Sequence, residues 1–330
     1  MKRTFLLIAL ALAVGAAVPM FIGGRALLPE LHGLPAEVWL VALGSVVIGW
    51  CINAGRLKLV LGGLGQKLSL PRAVGRVMAI DFATNATPAG SGGALAYVYL
   101  IAQRGLSSSH AAAMYALDQV LDLTFFLAAL LVISPLLLAG PSEPQLGWQI
   151  GALLTLLLGG CVLLWLTVRD YRRVLLWAGR MLHHLRISVA RRRQLARWIL
   201  RFRHGLGLLL GLARWRLALV YLLCVCHWLI RYSILFWIVR GLGERVSWSY
   251  LFLTQMVSFG LGQAALLPGG SGGVELGFSA LLAAWLPAAT LAAALLAWRC
   301  ATYYWLLLAG LGPFLVLVGR RLWQQDTPAA

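Results

Sequence analysis

Two short stretches interrupt otherwise apolar sequence: Pro88-Ala89-Gly90-Ser91-Gly92-Gly93 and Pro268-Gly269-Gly270-Ser271-Gly272-Gly273. They match at five of six positions and lie 180 residues apart. Proline removes a backbone donor and clashes with the preceding turn, and glycine adopts non-helical backbone cheaply. No continuous helix therefore runs through either stretch. Any fold for this chain has to house both breaks in apolar surroundings.

The composition says what those surroundings are. Of 330 residues, 61% are hydrophobic and 12% charged, with a mean hydropathy of +0.85. Soluble chains sit near half apolar and a quarter charged. Stretches near twenty apolar residues recur, the length that crosses a roughly 30 Å hydrocarbon core as a helix. Alternating strand patterns are absent, which sets aside a β-barrel. The fold class is an all-α polytopic membrane protein. A net charge of +18 would point to nucleic acid in a soluble chain; here the bias of Lys and Arg toward cytoplasmic loops accounts for it. The five cysteines, Cys51, Cys161, Cys224, Cys226 and Cys300, fall within predicted spans as small apolar residues. They build neither a disulfide framework nor a metal site, and no cofactor is expected.

In chain order, Thr4 to Ile22 reads as a first span; a secretory leader cut near Gly15–Ala17 is the alternative. Residues 23–37 read as an external loop, and 38–54 as a second span returning inward. Apolar arms at 77–87 and 94–102 flank the first break. Each is about ten residues, too short to cross, so 77–103 reads as a re-entrant hairpin from the cytoplasmic side, with Gln103-Arg104 back in the cytoplasm. Residues 109–134 go out, 135–147 form an external loop, and 148–168 return. The segment 169–216 carries 13 arginines. Within it Leu195, Trp198, Ile199, Phe202, Leu206 and Leu209 share a helical face, which reads as a basic amphipathic helix on the inner leaflet, either as an anchor or gathering anionic headgroups. Residues 217–239 go out, 250–286 form a second hairpin around the second break, entered from outside, and the last helix, 288–318, ends at Arg320 and Arg321. This layout puts 23 Lys and Arg in the cytoplasm against three outside (Arg25, Arg240, Arg245), with both termini cytoplasmic.

Adding 180 maps 38–134 onto 217–318 with the crossing direction reversed. The expectation is one membrane domain, 1–330, with an inverted-topology repeat, about six full spans and two re-entrant helical hairpins. Inverted repeats with broken helices are a transporter signature, with the site between the repeats.

At each break the second arm starts a helix. Free N–H groups and the positive dipole end at Ser91, Gly92, Gly270, Ser271 and Gly272 would suit a phosphate or carboxylate; close helix packing by small residues is the plainer reading. Charges inside spans are costly and face a partner or a wet cavity. Asp118 and Asp122 lie one turn apart, and Arg299 falls 180 residues after Gln119, so Arg299 is expected to pair with one of these aspartates. His227 and Arg231 share a face and reach a headgroup or Glu275. Glu275, in the first turn of its half-helix, either caps that end or carries a proton for coupling. Asp81, Asn85, Ser258 and Gln263 line the same region. The G-x-S-x-G match at Gly269–Gly273 lacks the strand–turn–helix context and the histidine of a serine hydrolase, so no catalytic residue is expected.

These residues resemble the membrane domain of lysylphosphatidylglycerol synthases and related stand-alone flippase-like proteins (UPF0104). The pattern N-x-x-x-P-x-x-x-G, then two acidic residues four apart, is similar to Asn85, Pro88, Asp118 and Asp122. The second pattern, P-G-G-x-G-x-x-E with a later Arg, is similar to Pro268, Gly269, Gly270, Glu275 and Arg299. The resemblance covers most of the chain. It departs where the family often has Gly-Glu-x-x-Arg after the first proline, since Gly92-Gly93-Ala94-Leu95-Ala96 carries no charge, and at Gln119 in place of Arg; headgroup preference is expected to differ accordingly. The resemblance implies movement of a phosphate-bearing lipid, such as an aminoacyl-phospholipid, across a bacterial cytoplasmic membrane. With the chain ending at Ala330, transport without lipid synthesis is expected. Membrane lipids are the expected partners, nucleic acid is not, and self-association stays open. The alternatives are a secondary transporter of a small anion, and an accessory protein or enzyme of lipid or glycan assembly.

Overall fold

The computed structural model describes residues 2–102, 106–138, 146–170, 173, 176–177, 180–181, 184, 188–265 and 267–326. The described residues are mostly helical, and among them the single non-helical pairing is an isolated bridge. The helices are α1 (Lys2–Gly23), α2 (Leu27–Gly33), α3 (Ala36–Gly63), α4 (Leu70–Asn85), α5 (Ser91–Ala102), α6 (Ser108–Leu138) and α7 (Leu146–Arg169). Then come α8 (Val189–Leu210), α9 (Arg214–Gly241), α10 (Trp248–Ala264), α11 (Gly273–Leu282), α12 (Ala288–Arg299) and α13 (Trp305–Asp326). A π-helical turn, Cys300–Tyr304, joins α12 to α13.

Five helical stretches among the described residues are long and apolar enough to cross a membrane: Ala9–Gly33, Ala36–Gly63, Ser108–Leu138, Arg214–Gly241 and Ala288–Gly319. Helix α7 is 24 residues long, and its apolar part, Ile150–Val162, is a shorter apolar helix. The protein is a polytopic helical membrane protein, as its composition dictates. Adding 180 to the bounds of α3, α4, α5 and α6 gives 216–243, 250–265, 271–282 and 288–318. Each start lies within two residues of α9, α10, α11 and α12, and the first three ends agree as closely.

The structure departs from the sequence reading at several boundaries. Residues 23–37 are not an irregular loop: a 3₁₀ turn, Gly24–Ala26, leads into α2. Helix α4 begins at Leu70, seven residues before the apolar arm, because Pro71 sits in its first turn, where a missing N–H costs nothing. Helix α6 continues through Pro135 to Leu138, so the proline costs one bond near the helix end and does not stop it. Gln103 and Arg104 lie outside the described residues, as does much of 171–187.

The described chain forms two compact units, Met1–Leu100 with Ala218–Ala330, and Ile101–Leu217. In the first, α13 lies along α4, α10 pairs with α11, α3 packs on α4, and α1 and α2 pack on α12. Gly310 sets α13 directly against the Met78 carbonyl of α4, and Gly23 sets α1 against Ala292 of α12. Such small residues let backbones approach where lipid offers no hydrophobic drive. Trp298 of α12 is buried between Phe259 and Phe278, with ring centroids 5.5 and 5.4 Å away. The Tyr250 hydroxyl donates to the Leu281 carbonyl at 2.7 Å and Gln255 to the Tyr232 carbonyl at 2.8 Å, tying α10 to α11 and α9.

In the second unit α6 packs on α7 and α8. The amphipathic face predicted for α8 is not given over to a membrane surface alone. Gly205 sits against His110 and Ala113 of α6, Leu209 is buried, and Trp198 Nε1 donates to Ser108 Oγ at 3.1 Å. Leu195, Leu200, Leu208 and Leu210 stay exposed beside Arg193, Arg197 and Arg201.

Candidate functional site

The two breaks share their turn, and differ just after it, where Gly272 has φ of +89° and Gly92 does not. Ala89 and Gly90 have φ of +48° and +67°, and Gly269 and Gly270 have +62° and +66°. Gly90 N–H donates to the Thr87 carbonyl and Ser91 N–H to the Pro88 carbonyl; Gly270 N–H and Ser271 N–H do the same to Leu267 and Pro268. The two turns also touch, since the backbones of Pro88 and Pro268 lie opposed as an isolated antiparallel bridge. Equivalent residues, 180 apart in sequence, thus meet inside the first unit.

The helix starts beyond the turns are not the open anion cradles that the sequence suggests. Gly92 N–H donates to Thr87 Oγ1 at 2.7 Å, and Gly93 N–H to the Gly90 carbonyl. Gly272 N–H donates to Glu275 Oε2 at 2.6 Å. A threonine and a carboxylate from the chain itself take the place of an outside anion, the usual way to satisfy helix-start donors. Replacing Thr87 with Val keeps the shape and strands the Gly92 donor. A loss of about 1–2 kcal/mol is expected, read as a lower melting temperature in detergent, with Thr87→Ser close to the parent.

Beside the second break stands a buried ion pair. Glu275 is 0% exposed and Arg299 2%. Arg299 Nε donates to Glu275 Oε1 at 2.8 Å and Nη1 to the Gly269 carbonyl at 3.0 Å. Nη2 lies 2.7 Å from the same Oε1 without hydrogen-bond alignment. The guanidinium also stands over the Tyr303 ring at 5.2 Å, and the Tyr303 hydroxyl reaches the Pro268 carbonyl at 3.4 Å. From α1, Gly15 packs so closely that a Cβ added there would run into the Tyr304 hydroxyl and come within 3.5 Å of Glu275 Oε1. The pair pins the Gly269 carbonyl and the Gly272 N–H at once, so it fixes the turn from both ends.

A second polar group lies where α3, α4 and α9 converge. Trp50 Nε1 donates to Asp81 Oδ2 at 2.9 Å. The Asn53 amide lies 3.3 Å from His227 Nδ1, and Arg56 Nη1 donates to Asn53 Oδ1 at 3.1 Å. Gly49 leaves room for the buried His227 ring. Arg231, one turn after His227, acts electrostatically on both Asp81 and His227. Asn85 turns back to donate to the Asp81 carbonyl at 2.8 Å.

The family of lysylphosphatidylglycerol synthase transmembrane regions matches residues 7–310. The chain belongs to that family. It is also similar to a protein of Archaeoglobus fulgidus described as a UPF0104 membrane protein, 24% identical over 275 residues, which are 81% of this chain and 83% of that one.

In this lysylphosphatidylglycerol synthase-type membrane region the candidate residues divide. Pro88, Gly92, Gly270, Ser271, Gly272, Glu275 and Arg299 gather at the two turns. Ser91 is exposed at the start of α5, whereas its counterpart Ser271 is buried, faces Tyr303 and makes no well-aligned hydrogen bond. The G-x-S-x-G match lies in a turn between helices. The partner of Arg299 is Glu275, not Asp118 or Asp122. Those aspartates are half-buried on α6 in the second unit, where the charges of both reach Tyr115. His227 pairs with Asn53 and not with Glu275. Sequence reasoning missed Trp50, Asn53, Thr87, Tyr303 and Tyr304. Tyr303 had a readable signal, four residues after Arg299, and Thr87 lies five residues before Gly92; the others meet their partners only through the fold.

Proposed function

We propose that this protein moves a phosphate-bearing lipid between the leaflets of a bacterial cytoplasmic membrane, without chemistry on it. The observation that carries the reading is the meeting of Pro88 with Pro268. Two helix breaks brought together in an apolar bundle require protein or a wet cavity around them. Broken helices from two repeats around one midplane site are how secondary transporters handle polar cargo. The matching element bounds and the shared turn geometry support a repeat, with the two copies crossing in opposite senses and both termini cytoplasmic. Membership of a family named for a lipid-modifying enzyme's membrane region makes a lipid the fitting cargo.

Purified protein in vesicles carrying tail-labelled phosphatidylglycerol, phosphatidylethanolamine or a phosphate-free glycolipid tests this. The phosphate lipids should become accessible to an outside quencher faster than in protein-free vesicles, and the glycolipid should not. No acceleration for any lipid removes the lipid-moving reading. On a cysteine-free background, cysteines at Lys67 and Glu244 should react with impermeant reagents from opposite sides; reaction from one side only defeats the inverted layout.

A further inference from the structure

Three arginines inside the first unit's helices are committed to protein acceptors. Arg56 donates to Asn53, Arg76 to the Arg72 and Leu100 carbonyls, and Arg299 to Glu275 and Gly269. The Glu275–Arg299 pair is closed as a ligand site. It is neutral, at most 2% exposed, and its second carboxylate oxygen is held by Gly272 N–H. A phosphate would have to displace a carboxylate from an arginine and a helix start together.

Arg231 differs. It is half-buried on α9, ten residues before Gly241, about 15 Å along the helix at 1.5 Å per residue. Among the described residues no carboxylate clasps it within ion-pair distance. Its charge is felt by Asp81, whose carboxylate is held by Trp50 Nε1 at 2.9 Å. Below it, His227 is braced by Asn53 and Gly49. A guanidinium has five donors and keeps its charge, and an arginine at this depth is costly unless it serves a polar path. Its fork fits a phosphate with two oxygens available.

We propose that Arg231 is the residue that takes the phosphate of the transported lipid, with Asp81 as the counter-charge that balances it when the site is empty. Cargo binding then brings the phosphate to Arg231 while Asp81 stays on Trp50. Asp81 competes with the phosphate, while Glu275 and Arg299 hold the turn and touch no headgroup. This rests on the lipid-moving reading for the source of the phosphate, but not for the anion site itself.

The test uses the full chain in detergent and three probes: short-chain phosphatidylglycerol, inorganic phosphate and short-chain diacylglycerol. Binding is followed by tryptophan fluorescence and by calorimetry, with monodispersity and helicity as folding controls. Arg231→Gln should weaken the phosphate lipid at least about tenfold, Arg231→Lys should fall between it and the parent, and Asp81→Asn should tighten it. Diacylglycerol should bind alike in all four. The proposal is overturned if Arg231→Gln and Arg231→Lys bind phosphatidylglycerol like the parent, or if Asp81→Asn weakens binding as Arg231→Gln does. Arg231-dependent binding of inorganic phosphate, with no lipid bound, keeps the anion site and removes the lipid reading. A parent that binds neither removes both.

Discussion

Exchanging the members of the buried pair, as Glu275→Arg with Arg299→Glu, is expected not to restore what either single substitution loses. Removing one partner, as in Arg299→Gln, leaves a carboxylate with 0% exposure and no cation beside it. Breaking a buried pair in this way costs about 3–5 kcal/mol. Removing both, as Glu275→Gln with Arg299→Gln, should recover part of that loss, because no unpaired charge remains. A bare Coulomb contact would also recover on exchange. This pair will not, because each member is oriented by backbone of fixed polarity. Gly272 N–H donates to the carboxylate and the Gly269 carbonyl accepts from the guanidinium. After exchange a guanidinium faces an N–H and a carboxylate faces a carbonyl. Melting in detergent should rank the parent above the double glutamine, and both above Arg299→Gln and the exchanged protein. An exchanged protein as stable as the parent would reduce the pair to a simple salt bridge.

That ordering bears on what the sequence could disclose. The breaks were legible because proline and glycine act locally, and the 180-residue correspondence reproduces the helix starts and both turns. Apolar length identified the spans for the same reason. Partner choice was not legible. Charge spacing along helices suggested Asp118 or Asp122 for Arg299. The fold chose Glu275 because a residue at the start of α11 and one at the end of α12 meet across the turn they both hold. The inference of free helix-start donors failed for a related reason. A threonine five residues back and a glutamate three residues on are local, but each satisfies a donor only in the turn geometry that the glycines permit. The π turn after Arg299 carried no signal in composition. It follows the one fully buried arginine among the described residues, in keeping with the habit of such turns to mark functional sites.

Gly269→Ala should be strongly damaging, and Ala89→Gly, at the equivalent position of the other turn, mild. Both positions hold left-handed backbone, +62° and +48°. A side chain there costs about 1–2 kcal/mol, and the first turn already bears that cost as Ala89. The two positions therefore do not differ in backbone strain; they differ in what stands beside them. A Cβ on Gly269 would run into the ring of Tyr303. That ring is 1% exposed, lies under the Arg299 guanidinium and has its hydroxyl at the Pro268 carbonyl, so it has nowhere to retreat. The collision adds an overpacking cost of about 1–3 kcal/mol to the strain. It also pushes Gly269, and with it the carbonyl that Arg299 holds, away from the pair. The proposed movement of lipid in vesicles should be lost together with the stability. In Ala89→Gly the relieved strain and the freer unfolded chain oppose one another, each about 1 kcal/mol, and leave the melting temperature nearly unchanged. Trimming the obstacle should separate the two costs: Gly269→Ala with Tyr303→Leu should be more stable than Gly269→Ala alone. If that double variant is the less stable of the two, the ring is not what makes glycine necessary at 269.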